Sequence, residues 1–458
     1  MADLFALQAC VRNGHPLPAP LATVTTPVVL DRWVFWLAPH PDRSFAEYIC
    51  KGFREGFRIG FASGSPLRVS GRNLRSATAH AEVVDGYLYD EVRARRMLPL
   101  DASPYASRVH VSPFGVLPKP HQPGRWRLIV DLSAPAAASV NDGVDRRWCS
   151  LRYASIDDAV DLVRLLGPDC LLAKLDLRAS YRVVPVHPDD RCLLGVRWKG
   201  AVYLDAALPF GLRSAPKIFS AVADALLWIM FRAGVTVGLH YLDDFLVLGR
   251  AGKSECARNL ERALAVCKVL GVPVAMHKVE GPASTLTFLG IEFDTVAGVL
   301  RLPEDKLHRL RSQLTAVAGK RACTKRELLS LVGLMHHASL VVRPGRSFVR
   351  RLLDLAHTAR QLDRFVRLNQ AARADIAWWL AFAASWNGVG LASTVGSWAP
   401  SLRVQSDASG CWGYGAVAVS SSPWRGFASP WSLPWRDQPI APKELYPVLV
   451  AAVVWGPT

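Results

Sequence analysis

Asp243 and Asp244 stand side by side in HYLDDFLVLG, residues 240–249, a run that is otherwise almost wholly apolar. Burying one unpaired carboxylate is costly, and burying two together costs more. Two adjacent acids also repel each other, so the pair calls for a compensating cation. Carboxylate oxygens are the preferred ligands of Mg²⁺, which keeps several waters and binds substrate phosphates. Two such ions about 3.5–4 Å apart can activate an attacking oxygen and stabilise a leaving one. Two ions need at least one more carboxylate. Asp176, in LLAKLDLRASYRVVPVHP, is the candidate, again at the end of an apolar strand pattern. A bare Asp-Asp pair is more often a simple turn former. The flanking elements therefore decide between the two readings.

Val235–Leu242 and Phe245–Leu248 both read as strands, which makes a hairpin with the carboxylates at its tip. Pro216 suits the first turn of a following helix, whose apolar face of Ile218, Phe219, Val222, Leu226 and Ile229 reads as core. Ser254–Leu270 is a helix with Ser254 as N-cap and an apolar stripe through Leu260, Leu264 and Cys267; Gly271 and Pro273 stop it. Upstream, the first forty residues are rich in Pro, Thr and Val without a clear period, and read as a loosely ordered arm. Phe45–Phe61 has helical spacing. Val109–Leu132 reads as short strands around the loop PKPHQPG. Residues 303–385 read as helical, with a capping box at Thr324 and Glu327. Strand patterning returns after Pro400. Strands and helices mixed without regular βαβ units imply an α+β fold.

The 458 residues carry 55 Lys+Arg against 38 Asp+Glu, a net charge of +17. Such an excess favours a polyanionic partner, most often nucleic acid. Half the residues are hydrophobic, enough for packed cores, yet no segment reads as a membrane span: the most apolar stretch, Ile218–Leu239, is broken by Asp224 and Arg232. The nine cysteines are scattered without CxxC spacing, and His336-His337 has no cysteine partner nearby. They read as reduced thiols of an intracellular protein with no zinc site.

Five stretches, in this order, resemble the motifs of reverse transcriptases: FGVLPKPHQPGRWRLIVDLS, LLAKLDLRASYRVVPVHP, LPFGLRSAPKIF, HYLDDFLVLG and LTFLGIEFD. The resemblance spans roughly Val109–Pro303. SVNDGV, LRSAPKIF and AWWLAFAASWNG look most like retrotransposons of the DIRS type. The resemblance implies a right-hand polymerase of fingers, palm and thumb, with Asp176, Asp243 and Asp244 as ligands of two Mg²⁺ (or Mn²⁺) ions. It implies Lys119 and Arg127 as fingers cations that meet the incoming triphosphate, whose charge must be neutralised as it transfers. Tyr181 falls at the aromatic gate that excludes a ribose 2′-OH; ordinary core packing is the alternative for it. Phe210 and Gly211 match the segment that contacts template and nucleotide, although many relatives carry Gln where this chain has Phe210. Lys278, in MHKVEGP, matches a lysine held to protonate the leaving pyrophosphate, with a phosphate contact or plain exposure as alternatives. Phe288, Leu289 and Gly290 match the primer grip.

LRVQSDASGCWGYGAV and APKELYPVLVAAVVWG resemble the first strands and the following helix of ribonuclease H, with Asp407 and Glu444 as two metal ligands. That family uses two further aspartates, from a later strand and helix, and the sequence ends before either, so little ribonuclease H activity is expected from it. The organisation expected is an N-terminal arm and helical extension (1–100), fingers and palm (101–302), thumb-like helices (303–365), a helical connection (366–400) and an incomplete ribonuclease H-like α/β domain (401–458). The expected activity is RNA-directed DNA polymerisation. Its expected partners are an RNA template, a DNA or RNA primer, their RNA–DNA hybrid and deoxynucleoside triphosphates. A non-catalytic nucleic-acid-binding remnant is the second reading, and an intact carboxylate triad speaks against it. An RNA-dependent RNA polymerase would share the triad without Tyr181 or a ribonuclease H start.

Overall fold

The computed structural model describes residues 19–62, 64, 65, 67, 72–100, 109–119, 124–391, 404–419 and 425–455. The chain divides into two compact units, residues 1–391 and 392–458. No described helix is long and apolar enough to cross a membrane.

In the first unit the chain runs through β1 (Met97–Pro99), β2 (Val111–Ser112) and the antiparallel pair β3 (Phe114–Pro118) and β4 (Trp126–Val130). Then come β5 (Leu171–Asp176), β6 (Gly195–Trp198), β7 (Ala201–Asp205), β8 (Gly238–Tyr241) and β9 (Asp244–Gly249). After these lie β10 (Glu280–Ala283), β11 (Thr285–Phe288), β12 (Ile291–Asp294), β13 (Val299–Arg301), β14 (Ala322–Thr324), β15 (Phe365–Arg367) and β16 (Val389–Gly390). One four-stranded sheet has the order β10-β5-β9-β8, and a second has the order β1-β7-β6-β2. A third, β11-β12-β13-β16, leads into the helices that follow Pro303.

The helix Ala215–Arg232 packs its Ile218, Phe219, Val222, Leu226 and Ile229 into the core behind the first sheet, all of them buried. Residues of one face recur at helical spacing, so burying that face fixes the helix against the strands. Helices Glu304–Ala318, Lys325–Ala338, Arg350–His357 and Gln370–Ser385 form a second core with the third sheet. The capping box stands as read: Thr324 Oγ1 accepts from Glu327 N at 3.2 Å, and Thr324 N donates to the Glu327 carboxylate at 2.8 Å.

Several expectations need correction. The opening segment is not merely an arm. Residues 30–37 form a helix whose Trp33 is fully buried and donates through Nε1 to Leu270 O at 3.1 Å. Residues 1–18 lie outside the described residues. Ser254 occupies the N-cap position, but its hydroxyl does not cap the helix and instead accepts a bond from Arg258. The strand expected over Val235–Leu242 narrows to Gly238–Tyr241. The block 303–385 is not helical throughout, because β14 and β15 pair within it, Cys323 opposite Val366. The tip of PKPHQPG, residues 120–123, lies outside the described residues.

The second unit is an antiparallel meander of β17 (Val404–Ala408), β18 (Gly413–Ala418) and β19 (Arg425–Pro430), with the helix Ile440–Trp455 packed on β17 and β18. Val453 and Val454 are exposed, at 69% and 53%.

Candidate active site

The three aspartates come from two strands and one turn. β5 and β9 are antiparallel neighbours whose register sets Asp176 opposite Asp244 at their shared end. β8 and β9 form a hairpin, Tyr241 opposite Asp244, which leaves Leu242 and Asp243 as a two-residue turn. Leu242 takes the left-handed conformation, φ +53°, as tight hairpins demand. The Asp243 carbonyl accepts from Leu177 N at 3.1 Å, tying the turn to the chain just past Asp176. The apolar residues Phe245, Leu246, Val247 and Leu248 are fully buried, so the carboxylates project from a rigid edge.

Their electrostatics follow from that crowding. Burial first, then the charges of Asp243 and Asp176, push the Asp244 carboxyl up to about 6. Burial raises Asp243 as well, against a hydrogen bond from the buried Ser180 hydroxyl that favours its charged form. Concentrated negative charge of this kind, carried by hard oxygen donors, is what a divalent cation relieves. Among the described residues no three His, Cys, Asp or Glu side chains are drawn in around a single point. Lys278 Nζ instead lies 3.2 Å from both Asp176 oxygens and partly offsets the charge.

The other residues singled out fall into three groups. Tyr181 sits against the site: its ring is 5.0 Å from Phe210 and 5.1 Å from Phe219. Burial, with the neighbouring Tyr153, Asp243 and Tyr241, pushes its hydroxyl up to about 12. Phe210 is 53% exposed, a ring presented to solvent beside Tyr181. Gly211 has φ +90° and packs against the backbone of Val130.

Lys119 and Arg127 lie exposed on the β3–β4 pair, where Lys119 N closes the ladder on Arg125 O at 2.8 Å. Among the described residues no hydrogen bond or ion pair joins them to the carboxylates. Phe288 is buried in the core, so its ring is not available to a primer. Leu289 and Gly290 form the β11–β12 turn with φ +48° and +74°. Lys306 Nζ donates to Gly290 O at 3.1 Å and His337 Nε2 lies 3.3 Å from Leu289 O, so the helices after Pro303 hold this turn. In the second unit, Asp407 lies on β17 opposite Gly415 and Glu444 on the adjacent helix; both are exposed.

Sequence reasoning missed several supporting residues. Ser180 was passed over although it adjoins Tyr181. Asn141, in SVNDGV, donates through Nδ2 to Gly211 O at 2.9 Å and accepts at Oδ1 from Arg213 N at 2.7 Å, so it holds the Phe210-Gly211 loop. Arg182, the residue after Tyr181, is buried between Glu91 and Asp205, with Nη2 at 2.7 and 2.6 Å from their carboxylates. A buried charge with this many acceptors was signalled only by an arginine inside an apolar run.

Residues 117–293 match the family model described as reverse transcriptase (RNA-dependent DNA polymerase). The Retrovirus-related Pol polyprotein from transposon 412 of Drosophila melanogaster is 24% identical over 243 residues, which covers 51% of this chain and 18% of that polyprotein. The Enzymatic polyprotein of cauliflower mosaic virus (strain Strasbourg) is 23% identical over 171 residues, covering 37% of this chain and 23% of that one. The chain thus spans less than a quarter of the length of these relatives. Among solved structures, the foamy viral protease-reverse transcriptase in complex with RNA/DNA hybrid aligns over 96% of this chain and 57% of that one, with TM-score 0.56 and 16% identity. The same viral protein in complex with dsDNA aligns over 94% of this chain and 87% of that one, with TM-score 0.53. The mixed α+β fold is that of a right-hand polymerase with a ribonuclease H-like region, and residues 117–293 are similar to the reverse transcriptase segments of retroviral and retrotransposon polyproteins.

Proposed function

We propose that this chain is an RNA-directed DNA polymerase of a retrotransposon, which adds deoxynucleotides to a primer 3′ end on an RNA template. The observation that carries the reading is the register that sets Asp176 opposite Asp244, with Asp243 in the adjoining turn. Asp176, Asp243 and Asp244 would hold two Mg²⁺ or Mn²⁺ ions, which supply charge neutralisation at the phosphates and activation of the primer hydroxyl.

The chain's own residues would do the rest. Lys119 and Arg127 meet the triphosphate. Tyr181, backed by Phe210 and Phe219, fills the space of a ribose 2′-OH. Phe210 offers a stacking face where an amide would hydrogen-bond. Lys278, already within 3.2 Å of Asp176, is placed to give a proton to the leaving pyrophosphate oxygen. Leu289 and Gly290 offer backbone to the primer. Residues 303–365 would act as a thumb and 366–400 as a connection. The wording of SVNDGV, LRSAPKIF and AWWLAFAASWNG supports a DIRS-type element. The segment 401–458, with Asp407 and Glu444, is read as ribonuclease H-like.

Asp243→Asn tests the reading. Primer extension with magnesium on an RNA template should fall by orders of magnitude while the far-ultraviolet spectrum is kept. A variant that extends primers as well as the wild type would overturn the assignment.

A further inference from the structure

Directly behind the catalytic turn lies a pair of side chains that the polymerase reading leaves unused. His240 is buried at 8% exposure. Its Nε2 is 2.8 Å from Asp224 Oδ1, and its Nδ1 is 3.3 Å from the carbonyl oxygen of Leu242. Both partners are acceptors, so one ring N–H donates to Asp224 or to Leu242 according to the tautomer, and the other nitrogen faces the second oxygen. The ring also stacks on Phe245, centroids 5.2 Å apart and planes 27° apart. One imidazole therefore touches both flanks of the Asp243-Asp244 pair: Leu242 precedes it and Phe245 follows it.

The placement matters because Leu242 has a conformation that side chains with a Cβ seldom adopt, φ +53°. Such a backbone persists only where its surroundings hold it. The Leu242 carbonyl is the group whose direction changes if the turn relaxes, and His240 is its side-chain partner. Asp224, in turn, fixes the ring plane. It belongs to the helix Ala215–Arg232, whose apolar face is anchored in the core, so the turn is referenced to a rigid element rather than to its own strands. Asp224 itself is 59% exposed at its side chain, so its carboxylate can be altered without opening a cavity.

We infer that Asp224 and His240 are positioning residues that fix the Leu242-Asp243 turn and so hold Asp243 and Asp244 in place relative to Asp176. The inference rests on the polymerase reading of those three aspartates. Groups that hold a metal ligand in place from outside its coordination shell are typically worth about 10- to 100-fold in metal affinity or activity.

The test compares wild type, Asp224→Asn, His240→Gln and the double variant in single-nucleotide incorporation on one primer–template, over a series of MgCl₂ concentrations. Each single variant is expected to lose about 10-fold in kcat and to need several-fold more magnesium for half activation. The double variant should be no worse than the worse single one, since the two residues act as a unit. Primer–template Kd and the melting temperature of Asp224→Asn should stay at wild-type values. Unchanged kcat and magnesium midpoint in Asp224→Asn, or additive losses in the double variant, would overturn the positioning role. If His240→Gln does not fold, Asp224→Asn alone decides. If the wild type extends primers and Asp243→Asn does not, a failure here sinks only this inference; if Asp243→Asn extends normally, both fall.

Discussion

Arg182→Met deletes a guanidinium while keeping a long apolar side chain, and its cost can be worked from the cluster it leaves behind. Arg182 Nη2 lies 2.7 Å from Glu91 Oε2 and 2.6 Å from Asp205 Oδ1, and Nη1 donates to Ala207 O at 3.0 Å. Glu91 keeps a second partner, Arg96, at 2.6 Å. Asp205 depends on Arg182. Burial pushes its carboxyl up to about 6 even with that guanidinium in place. Removing one side of a buried ion pair typically costs about 3–5 kcal/mol, because the other charge is left stranded. Asp205 can escape part of that penalty by taking up a proton. A carboxyl whose folded pKa is raised binds protons more tightly folded than unfolded, so stability falls as pH rises from about 3.8 towards the folded value. In the wild type this loss ends near pH 6; in Arg182→Met it continues. The gap between the two proteins should then widen by about 1.4 kcal/mol per pH unit above about 6, or about 3 kcal/mol between about pH 6 and 8. Urea midpoints of both proteins across that range measure it. A gap that is constant with pH, or smaller than about 1 kcal/mol at neutral pH, would refute the view that Arg182 is what keeps Asp205 charged.

Tyr181→Ala should raise ribonucleotide incorporation relative to deoxynucleotide in direct competition; an unchanged ratio would return Tyr181 to simple packing on Phe210 and Phe219. Hydrogen bonds from Lys320 and from Thr324 hold the Glu327 carboxyl down, at about 2. Its stabilising effect is full above the unfolded value of about 4.5 and is lost as pH falls towards about 2. The melting difference between wild type and Glu327→Gln should close over that interval; a difference that persists at the acid end would refute the capping role. Asp407 and Glu444 are exposed, one on a strand and one on a helix, and two carboxylates are fewer than two metal ions need. The purified chain is therefore expected to leave the RNA strand of a hybrid uncut, and hybrid cleavage abolished by Asp407→Asn would show otherwise.

The site was legible where chemistry and strand ends coincide. Asp176, Asp243 and Asp244 interrupt apolar strands, and that conflict between burial and charge is visible in one dimension. Buried helix faces were legible for the same reason, through their period. What the sequence hid depends on partners far along the chain. His240 and Asp224 are 16 residues apart on different elements, and neither differs locally from any polar residue near a core. The three-residue β14 and β15 are too short to show a period, and their pairing is set by the helices on either side. Ser254 has the right residue type for a cap, but Arg258 captures its hydroxyl, and composition does not say which donor wins. The helix Leu30–Leu37 was missed because Pro27 and the Thr-rich run before it mask two turns of amphipathic pattern.

The clasp of Trp33 on Leu270 has a consequence for how the protein is made. Both Val29 N and Trp33 Nε1 end on the Leu270 carbonyl, the latter across 237 residues. On a ribosome extending at about 5–20 residues per second, the opening helices wait on the order of tens of seconds for that partner to emerge. Until then Trp33, Leu37, Ile49 and Phe53, all buried in the finished fold, have only part of their cover, such as the packing of Trp33 on Phe53. The two opening helices can therefore be locked in place only once Leu270 has been made. Burial of Trp33 thus marks a fold completed at least as far as Leu270.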